Sequence, residues 1–309
     1  MGEFYLLFDV GGTDVKAALA TADGELLHVL REPTARPEPG GDGATAVLEQ
    51  LSDLADRLGA MSAQSPIGVG LLVCGLVDAE AGVGLYSVNL GWRDVPLRAM
   101  AEQRLALPVG FGHDVTCAAR AELEFGAGAH VPGGAQNAAV LIIGTGIASA
   151  LVVDGRMVLS GGYAGELGHA LVPGGLACPC GATGCLETLG SAGAIARRYY
   201  EATGVSGGAR EVFAARAQGD HVAQRIIDEA LDALSFTLAQ LAASVAPEVV
   251  IIGGGLAQAG SPFFDDLQAR LAARLSYHRL PQVLPARLGA DAGLRGAWLA
   301  IRDRMREVS

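Results

Sequence analysis

An apolar run from Phe4 to Val10, interrupted only by Asp9, meets Gly11-Gly12-Thr13, and a second apolar segment, Val15 to Ala20, ends at the turn Ala22-Asp23-Gly24. Two short apolar runs around a glycine loop predict a β-hairpin with the loop at its tip. After a Pro- and Gly-rich loop over 33–43, Val47, Leu51, Leu54 and Leu58 recur on one face of a helix predicted over 44–59. The pattern then predicts a buried strand at 67–73, a helix at 94–105, a short strand at 108–111 running on to His113-Asp114, and a helix at 116–125. The uncharged stretch 138–153 is shorter than the ~18–20 residues that span a bilayer. Gly144-Thr145-Gly146 breaks it in the middle, so it reads as two buried strands around a glycine turn. Helices are expected at 191–203, 208–218 and 220–245, and a strand at 249–252 that runs into Gly253-Gly254-Gly255. Alternating strands and helices make an α/β fold. Its two halves share an order of hairpin, glycine turn, helix and strand, which reads as a duplicated architecture.

A chain of 309 residues is long enough for about two domains. Half of it is hydrophobic and 18% is charged, which excludes a disordered chain. The 44 glycines follow no repeat and imply many tight turns or close backbone approaches to a ligand. An excess of 33 acidic over 22 basic residues gives a net charge of −11, which argues against nucleic-acid and anionic-membrane partners. The first residues, MGEFYLLFDVGG, have no positive n-region, so no secretory signal is expected. Five cysteines, three of them between 178 and 185, do not form a disulfide framework. The expected location is the cytosol.

Four glycine turns follow predicted strands: Gly11-Gly12-Thr13, Cys74-Gly75, Gly144-Thr145-Gly146 and Gly253-Gly254-Gly255. Glycine there lets backbone N–H groups approach phosphate oxygens, and threonine adds a hydroxyl donor; a glycine-rich chain also simply uses glycine in its turns. A Walker motif is excluded because Lys16 is the only lysine, and neither G-x-G turn has the third glycine of a dinucleotide fingerprint. His169, Cys178, Cys180 and Cys185 crowd one Gly- and Pro-rich loop over 161–185. One imidazole and three thiols suit a tetrahedral structural zinc with no open catalytic position. Asp114, at a strand end before a helix, reads either as an N-cap for Thr116 or Cys117 or as a general base. Glu166 and Glu187 flank the zinc loop, as solvated charges or as carboxylates that the loop holds in place. Lys16 is expected to pair with Asp14 along one strand face.

Together these pieces resemble the ROK family (repressors, open reading frames and kinases) of actin-like sugar kinases, from Asp9 to about Ala300. Asp9-Val-Gly-Gly-Thr13 resembles the family's first phosphate motif and Gly144-Thr-Gly146 its second. Asn89-Leu-Gly-Trp92 resembles the sugar-site Asn, His113-Asp114 the catalytic Asn-Asp pair, and Ile252-Gly-Gly-Gly255 the adenosine motif. Glu166-Leu-Gly-His169, the three cysteines and Glu187 resemble its zinc and sugar signature. The resemblance implies an actin-like (ribonuclease H-like) fold of two α/β domains around a cleft. A smaller domain would comprise 1–115 plus a C-terminal helix at 292–309, and a larger one 116–291 would carry the zinc loop. It implies ATP-dependent phosphorylation of a hexose, glucose to glucose 6-phosphate, with Asp114 taking the proton of the attacking hydroxyl. Asp9, Gly11, Gly12, Thr13, Lys16, Gly144, Thr145, Gly146, Gly253, Gly254 and Gly255 would bind Mg²⁺ and ATP. Gly75, Asn89, His113, Glu166, His169 and Glu187 would bind the sugar. Structural Zn²⁺ would fix His169 and, through it, the loop presenting Glu166.

Two positions depart from the family. His113 stands where an Asn usually contacts the sugar, and Val115-Thr116 replaces Ala-Asn; Asp114 is retained, so catalysis is better supported than substrate identity. Kinases for N-acetylmannosamine, N-acetylglucosamine or fructose, polyphosphate as donor, and a non-catalytic sugar-binding ROK protein are the alternatives. The first phosphate motif begins at Asp9, so no DNA-binding module is expected ahead of it, and Arg302, Arg304 and Arg306 read as a solvated helix face. The family precedent is a homodimer or homotetramer.

Overall fold

The computed structural model describes residues 3–37 and 41–308. Residues 38–40 of the Pro- and Gly-rich loop, the first two residues of the chain and Ser309 lie outside the described residues. The chain divides into two compact units: one takes the residues before Leu123, Leu159–Tyr163 and those from Ala290 on, the other Leu123–Val158 and Ala164–Gly289.

The first unit opens with β1 (Phe4–Val10), β2 (Asp14–Thr21) and β3 (Leu26–Pro33), followed by α1 (Gly43–Gly59) and β4 (Gly68–Val73). Three short strands, β5 (Leu76–Asp78), β6 (Val83–Ser87) and β7 (Trp92–Val95), precede α2 (Leu97–Leu105), β8 (Val109–His113) and α3 (Asp114–Phe125). The second unit holds β9 (Ala138–Ile143), β10 (Ile147–Val153) and β11 (Arg156–Met157). It continues through α4 (Glu187–Gly190), α5 (Ala192–Thr203), α6 (Ala209–Ala217), α7 (His221–Val245), β12 (Val249–Gly253), α8 (Ser261–Arg274) and β13 (Gln282–Pro285). The chain then returns to the first unit as α9 (Ala292–Val308).

Each unit is built on a five-stranded sheet, and the two sheets repeat one plan. The orders are β3-β2-β1-β4-β8 and β11-β10-β9-β12-β13. In both, the first three strands of the unit form an antiparallel meander, and two parallel strands extend the sheet from the strand that opens the unit. Each sheet buries its own core. Phe8, Val15, Leu51, Leu54, Leu71 and Trp92 cluster in the first unit, and Leu141, Ile227, Leu234, Val250, Ile252 and Phe263 in the second. The helix predicted over 44–59 supplies Val47, Leu51, Leu54 and Leu58 to the first core, and Asp42 caps it by accepting from Ala44 N and Thr45 N.

α9 closes the first unit against β1, β4 and β8. Two strand glycines make that approach fit: a Cβ at Gly70 would overlap the carbonyl of Ala297, and one at Gly110 the carbonyl of Ala300. Backbone cannot yield as a flexible side chain can, so Gly110→Ala is expected to cost about 1–3 kcal/mol or more through overpacking. A urea titration checks this; an unchanged midpoint would contradict the fit.

The structure corrects one predicted boundary. Residues 92–95 are a strand and the helix begins at Leu97, because Pro96 disfavours helical backbone in the residue before it. β3, the β5–β7 sheet, β11, α4, α8 and β13 lie outside the predicted elements. β3 has a mixed, half-exposed pattern that gives no clear alternation, and the β5–β7 strands are too short to show a period.

Candidate active site

In the first unit the carboxyl ends of three parallel strands line up. Val10 pairs with Val73, and Val73 with His113, so the Gly11–Thr13 turn, Cys74-Gly75 and His113-Asp114 emerge side by side. The outer ends of parallel strands are where α/β sheets bind ligands. The turn's carbonyls are taken: Gly11 O accepts from Thr34 Oγ1 at 2.7 Å, Thr13 O from Thr34 N at 2.8 Å, and Gly12 O from Arg36 Nη2 at 2.5 Å. The N–H groups of Gly12 and Thr13 make no hydrogen bond among the described residues, which is the arrangement an anion needs. Thr34 and Arg36 escape a sequence reading, since only the fold brings them to the turn. Asn89 lies against this turn too, its Nδ2 about where a Cβ on Gly12 would press, at 3.0 Å. Gly75 adopts φ +107° with Tyr86 O 2.5 Å from where a Cβ would stand, so its backbone requires glycine.

Lys16 does not pair with Asp14. Its Nζ donates to Asp9 Oδ2 at 3.3 Å and to Ala290 O at 3.2 Å, while Asp14 takes Arg31 at 2.7 Å. Asp9 and Lys16 are directly opposite in the antiparallel β1–β2 register, and cross-strand partners stand closer than i, i+2 neighbours on one strand. Asp9 also lies against the backbone of Gly293 at the start of α9, where a Cβ would collide with the carboxylate.

Asp114 is not the N-cap of α3. The Thr116 N–H goes to His113 Nδ1 at 3.3 Å, and Asp114 Oδ1 accepts from Val115 N at 2.7 Å. The His113 and Asp114 side chains are only 20% and 23% exposed, with Nε2 and Oδ1 3.2 Å apart. Burial pushes the Asp114 carboxyl above the usual carboxylate range, His113 opposes that rise, and the neighbouring Asp9 charge adds to it. A half-buried carboxyl with a raised pKa and a nearby second carboxylate is the electrostatic profile of a general base.

The second unit repeats the plan. Gly253 pairs with Ile142, so the Gly144–Gly146 and Gly253–Gly255 turns leave adjacent strand ends. Gly254 has φ +82°, and a Cβ there would stand 2.5 Å from Ile143 O. Gly144 O accepts from Gly193 N at 3.2 Å, which sets the first turn of α5 against this turn. The N–H groups of Thr145 and Gly146 make no hydrogen bond among the described residues. Glu187 Oε2 accepts from Ile147 N at 2.7 Å and packs against Gly146. Glu187→Ala is therefore expected to cost about 1–3 kcal/mol by stranding that N–H, whereas Glu187→Gln keeps an acceptor and stays near wild type. Chemical denaturation of both variants checks the pair.

His169, Cys178, Cys180 and Cys185 place one ligand atom each within 4.8 Å of all the others. Cys180 Sγ and Cys185 Sγ are 3.6 Å apart and Cys178 Sγ and His169 Nδ1 3.9 Å. The edges of a tetrahedron around zinc with Zn–S of ~2.3 Å are close to ~3.8 Å, and a disulfide needs about 2.05 Å. The cluster fits a structural zinc. Burial, with Cys180 and Cys178 adding to it, pushes the Cys185 thiol up to about 12; a bound cation reverses this by stabilising the thiolate. His169 turns Nδ1 to the thiols, which leaves Nε2 for another partner, and one 3₁₀ turn joins it to the exposed Glu166. Cys185-Leu186-Glu187 then links the cluster directly to the Gly144–Gly146 turn.

Two sheets of one order, each with a glycine turn at its strand ends, define the actin-like α/β fold of the sugar kinases. The chain belongs to the ROK family, whose model matches residues 5–304. It is 35% identical to a glucokinase of Halalkalibacterium halodurans over 96% of this chain and 94% of that protein. It superposes on a ROK hexokinase from Thermus thermophilus with a TM-score of 0.81 and 31% identity, covering 99% of this chain and 100% of the other. A ROK family glucokinase from Streptomyces griseus in complex with glucose and AMPPNP gives a TM-score of 0.75 and 27% identity, covering 96% and 98%. Among the described residues no helix is long and apolar enough to cross a membrane.

Proposed function

We propose that this protein is an ATP-dependent sugar kinase that transfers the γ-phosphoryl group to the 6-hydroxyl of a hexose, with glucose the first substrate. The observation that carries the reading is Asp114: a half-buried carboxyl of raised pKa at a strand end shared with the Gly11–Thr13 turn. Such a group accepts the proton of a sugar hydroxyl as its oxygen attacks phosphorus in line. The free N–H groups of the two glycine turns suit phosphate oxygens of Mg-ATP, and the Gly253–Gly255 turn the adenosine. Lys16 and Asp9 set the charge beside the first turn, Asp9 supporting the magnesium of the nucleotide. Catalysis of this kind is mainly positioning and charge stabilisation. Gly75, Asn89, Glu166, His169 and Glu187 would contact the sugar, whose many hydroxyls call for short carboxylates and amides. Zinc supplies rigidity to the loop that carries Glu166 and His169.

The glucokinase relatives support glucose over other hexoses, and the AMPPNP complex of one of them supports ATP over polyphosphate. The His in place of the family's Asn at position 113 keeps N-acetylmannosamine, N-acetylglucosamine and fructose as rivals. A cytosolic enzyme acting as a homodimer or homotetramer, divided near residues 115 and 292 into a smaller and a larger domain, completes the proposal. The test is ³¹P and ¹³C NMR of the product: phosphate on C6 of glucose supports it, and phosphate on another carbon or only on an N-acetylhexosamine overturns the assigned acceptor.

A further inference from the structure

His113 is anchored through one of its ring nitrogens. The Thr116 N–H can only donate, so Nδ1, 3.3 Å away, accepts, and Thr116 Oγ1 sits at the same distance from it. A neutral imidazole with an accepting Nδ1 carries its proton on Nε2. Nε2 lies 3.2 Å from Asp114 Oδ1. Oδ1 meanwhile accepts from Val115 N at 2.7 Å, and no hydrogen bond or ion pair to Oδ2 is formed among the described residues. One carboxylate oxygen is therefore bonded by the backbone and flanked by the imidazole, and the other makes no hydrogen bond among the described residues.

We infer that His113 is a positioning residue for Asp114: with Nδ1 anchored on the first turn of α3 and Nε2 3.2 Å from Oδ1, the imidazole packs against the carboxylate and turns Oδ2 outward as the oxygen that takes the hydroxyl proton. The inference rests on the reading of Asp114 as the base. It gives His113 a role beside the expected sugar contact, since Nδ1 is held within the β8–α3 junction and Nε2 lies against Asp114. The two neighbours the ring touches, Asp114 and Thr116, lie one and three residues away, so the device is local in sequence. Thr116 stands where the resembled family usually has Asn, so the departures at 113 and 116 form one unit.

The test compares His113→Ala, His113→Asn and His113→Gln. A glutamine amide nitrogen falls near the place of Nε2, whereas an asparagine reaches only the place of Nδ1. The expected result is a kcat loss of roughly 10–100-fold for Ala and Asn at nearly unchanged sugar KM, with Gln recovering most of the loss. Combined with Asp114→Asn, His113→Ala is expected to cost nothing further, because the carboxylate it positions is gone. A raised sugar KM at unchanged kcat, or an additive double variant, overturns the inference. If Asp114→Asn keeps full turnover, the base reading fails first and the inference falls with it. A readout independent of turnover is the ¹⁵N shift pattern of the His113 ring in the wild-type protein. Protonated Nε2 with bare Nδ1 is expected, and the opposite tautomer overturns the assignment even where no sugar is turned over.

Discussion

Asp114→Asn is expected to lower kcat by roughly two to four orders of magnitude, the usual contribution of a general base, while making the folded protein more stable near neutral pH. The two effects have one cause. Burial, with the Asp9 charge adding to it, raises the Asp114 pKa above its unfolded value. The folded state then binds this proton more tightly than the unfolded chain does. Stability therefore falls as pH rises from the ordinary carboxylate range to the raised folded value, and the full cost is present above it. Asparagine removes the charge and with it the cost, so its Tm advantage is largest near pH 7 and fades as pH falls below the ordinary carboxylate range. In the wild type the same shift places the acid limb of kcat/KM above the usual carboxylate range, since only the ionised form accepts the proton. Thermal melts across pH and initial rates of both proteins check these expectations. A variant that is inactive and markedly destabilised at pH 7 would mean that Asp114 serves the fold rather than the reaction.

Removing the metal is the second large perturbation. Cys185 is fully buried and Cys178 nearly so, and the loop that holds them is mostly turns and two isolated bridges, Leu171 with Cys185 and Ala177 with Thr183. Backbone bonds such as Val172 N to Gly184 O and Cys178 N to Ala182 O shape its turns, and the cluster ties those turns to His169. Cys185→Ser, or exhaustive chelation, is expected to take zinc from about one per chain to none and to cost at least ~3 kcal/mol. For a unit of this size that is roughly a 6–12 °C fall in Tm. Glu166, His169 and Glu187 all depend on this loop or its exit into α4, so sugar KM is expected to rise about 10–100-fold. Metal analysis, a melt and a sugar titration on one preparation separate the effects. Loss of zinc with unchanged Tm and KM would show that the loop holds its shape without the ion.

The sequence made most of the sheet strands and helices such as α1 and α7 legible because their patterns are local: Val47, Leu51, Leu54 and Leu58 repeat at helical spacing, and the apolar runs at 4–10 and 138–153 break at glycine. The metal cluster was legible for the same reason, since Cys178, Cys180 and Cys185 fall within one loop. Pairings set by strand register were not. Lys16 faces Asp9 rather than Asp14 only because β1 and β2 pair as they do. Thr34 and Arg36 reach the first glycine turn from beyond β3, and no periodicity announces such a contact. The cap at α3 is a subtler case. Asp is the better capping residue by type, yet His113 accepts the Thr116 N–H and frees Asp114.

The most direct measurement is sugar-dependent release of ADP from Mg-ATP by the zinc-loaded protein, run against glucose, fructose, mannose, N-acetylglucosamine and N-acetylmannosamine. The account predicts stoichiometric ADP formation with glucose as the preferred acceptor. The same background ADP with every sugar as with none would contradict it, and would leave a sugar-binding protein without phosphoryl transfer.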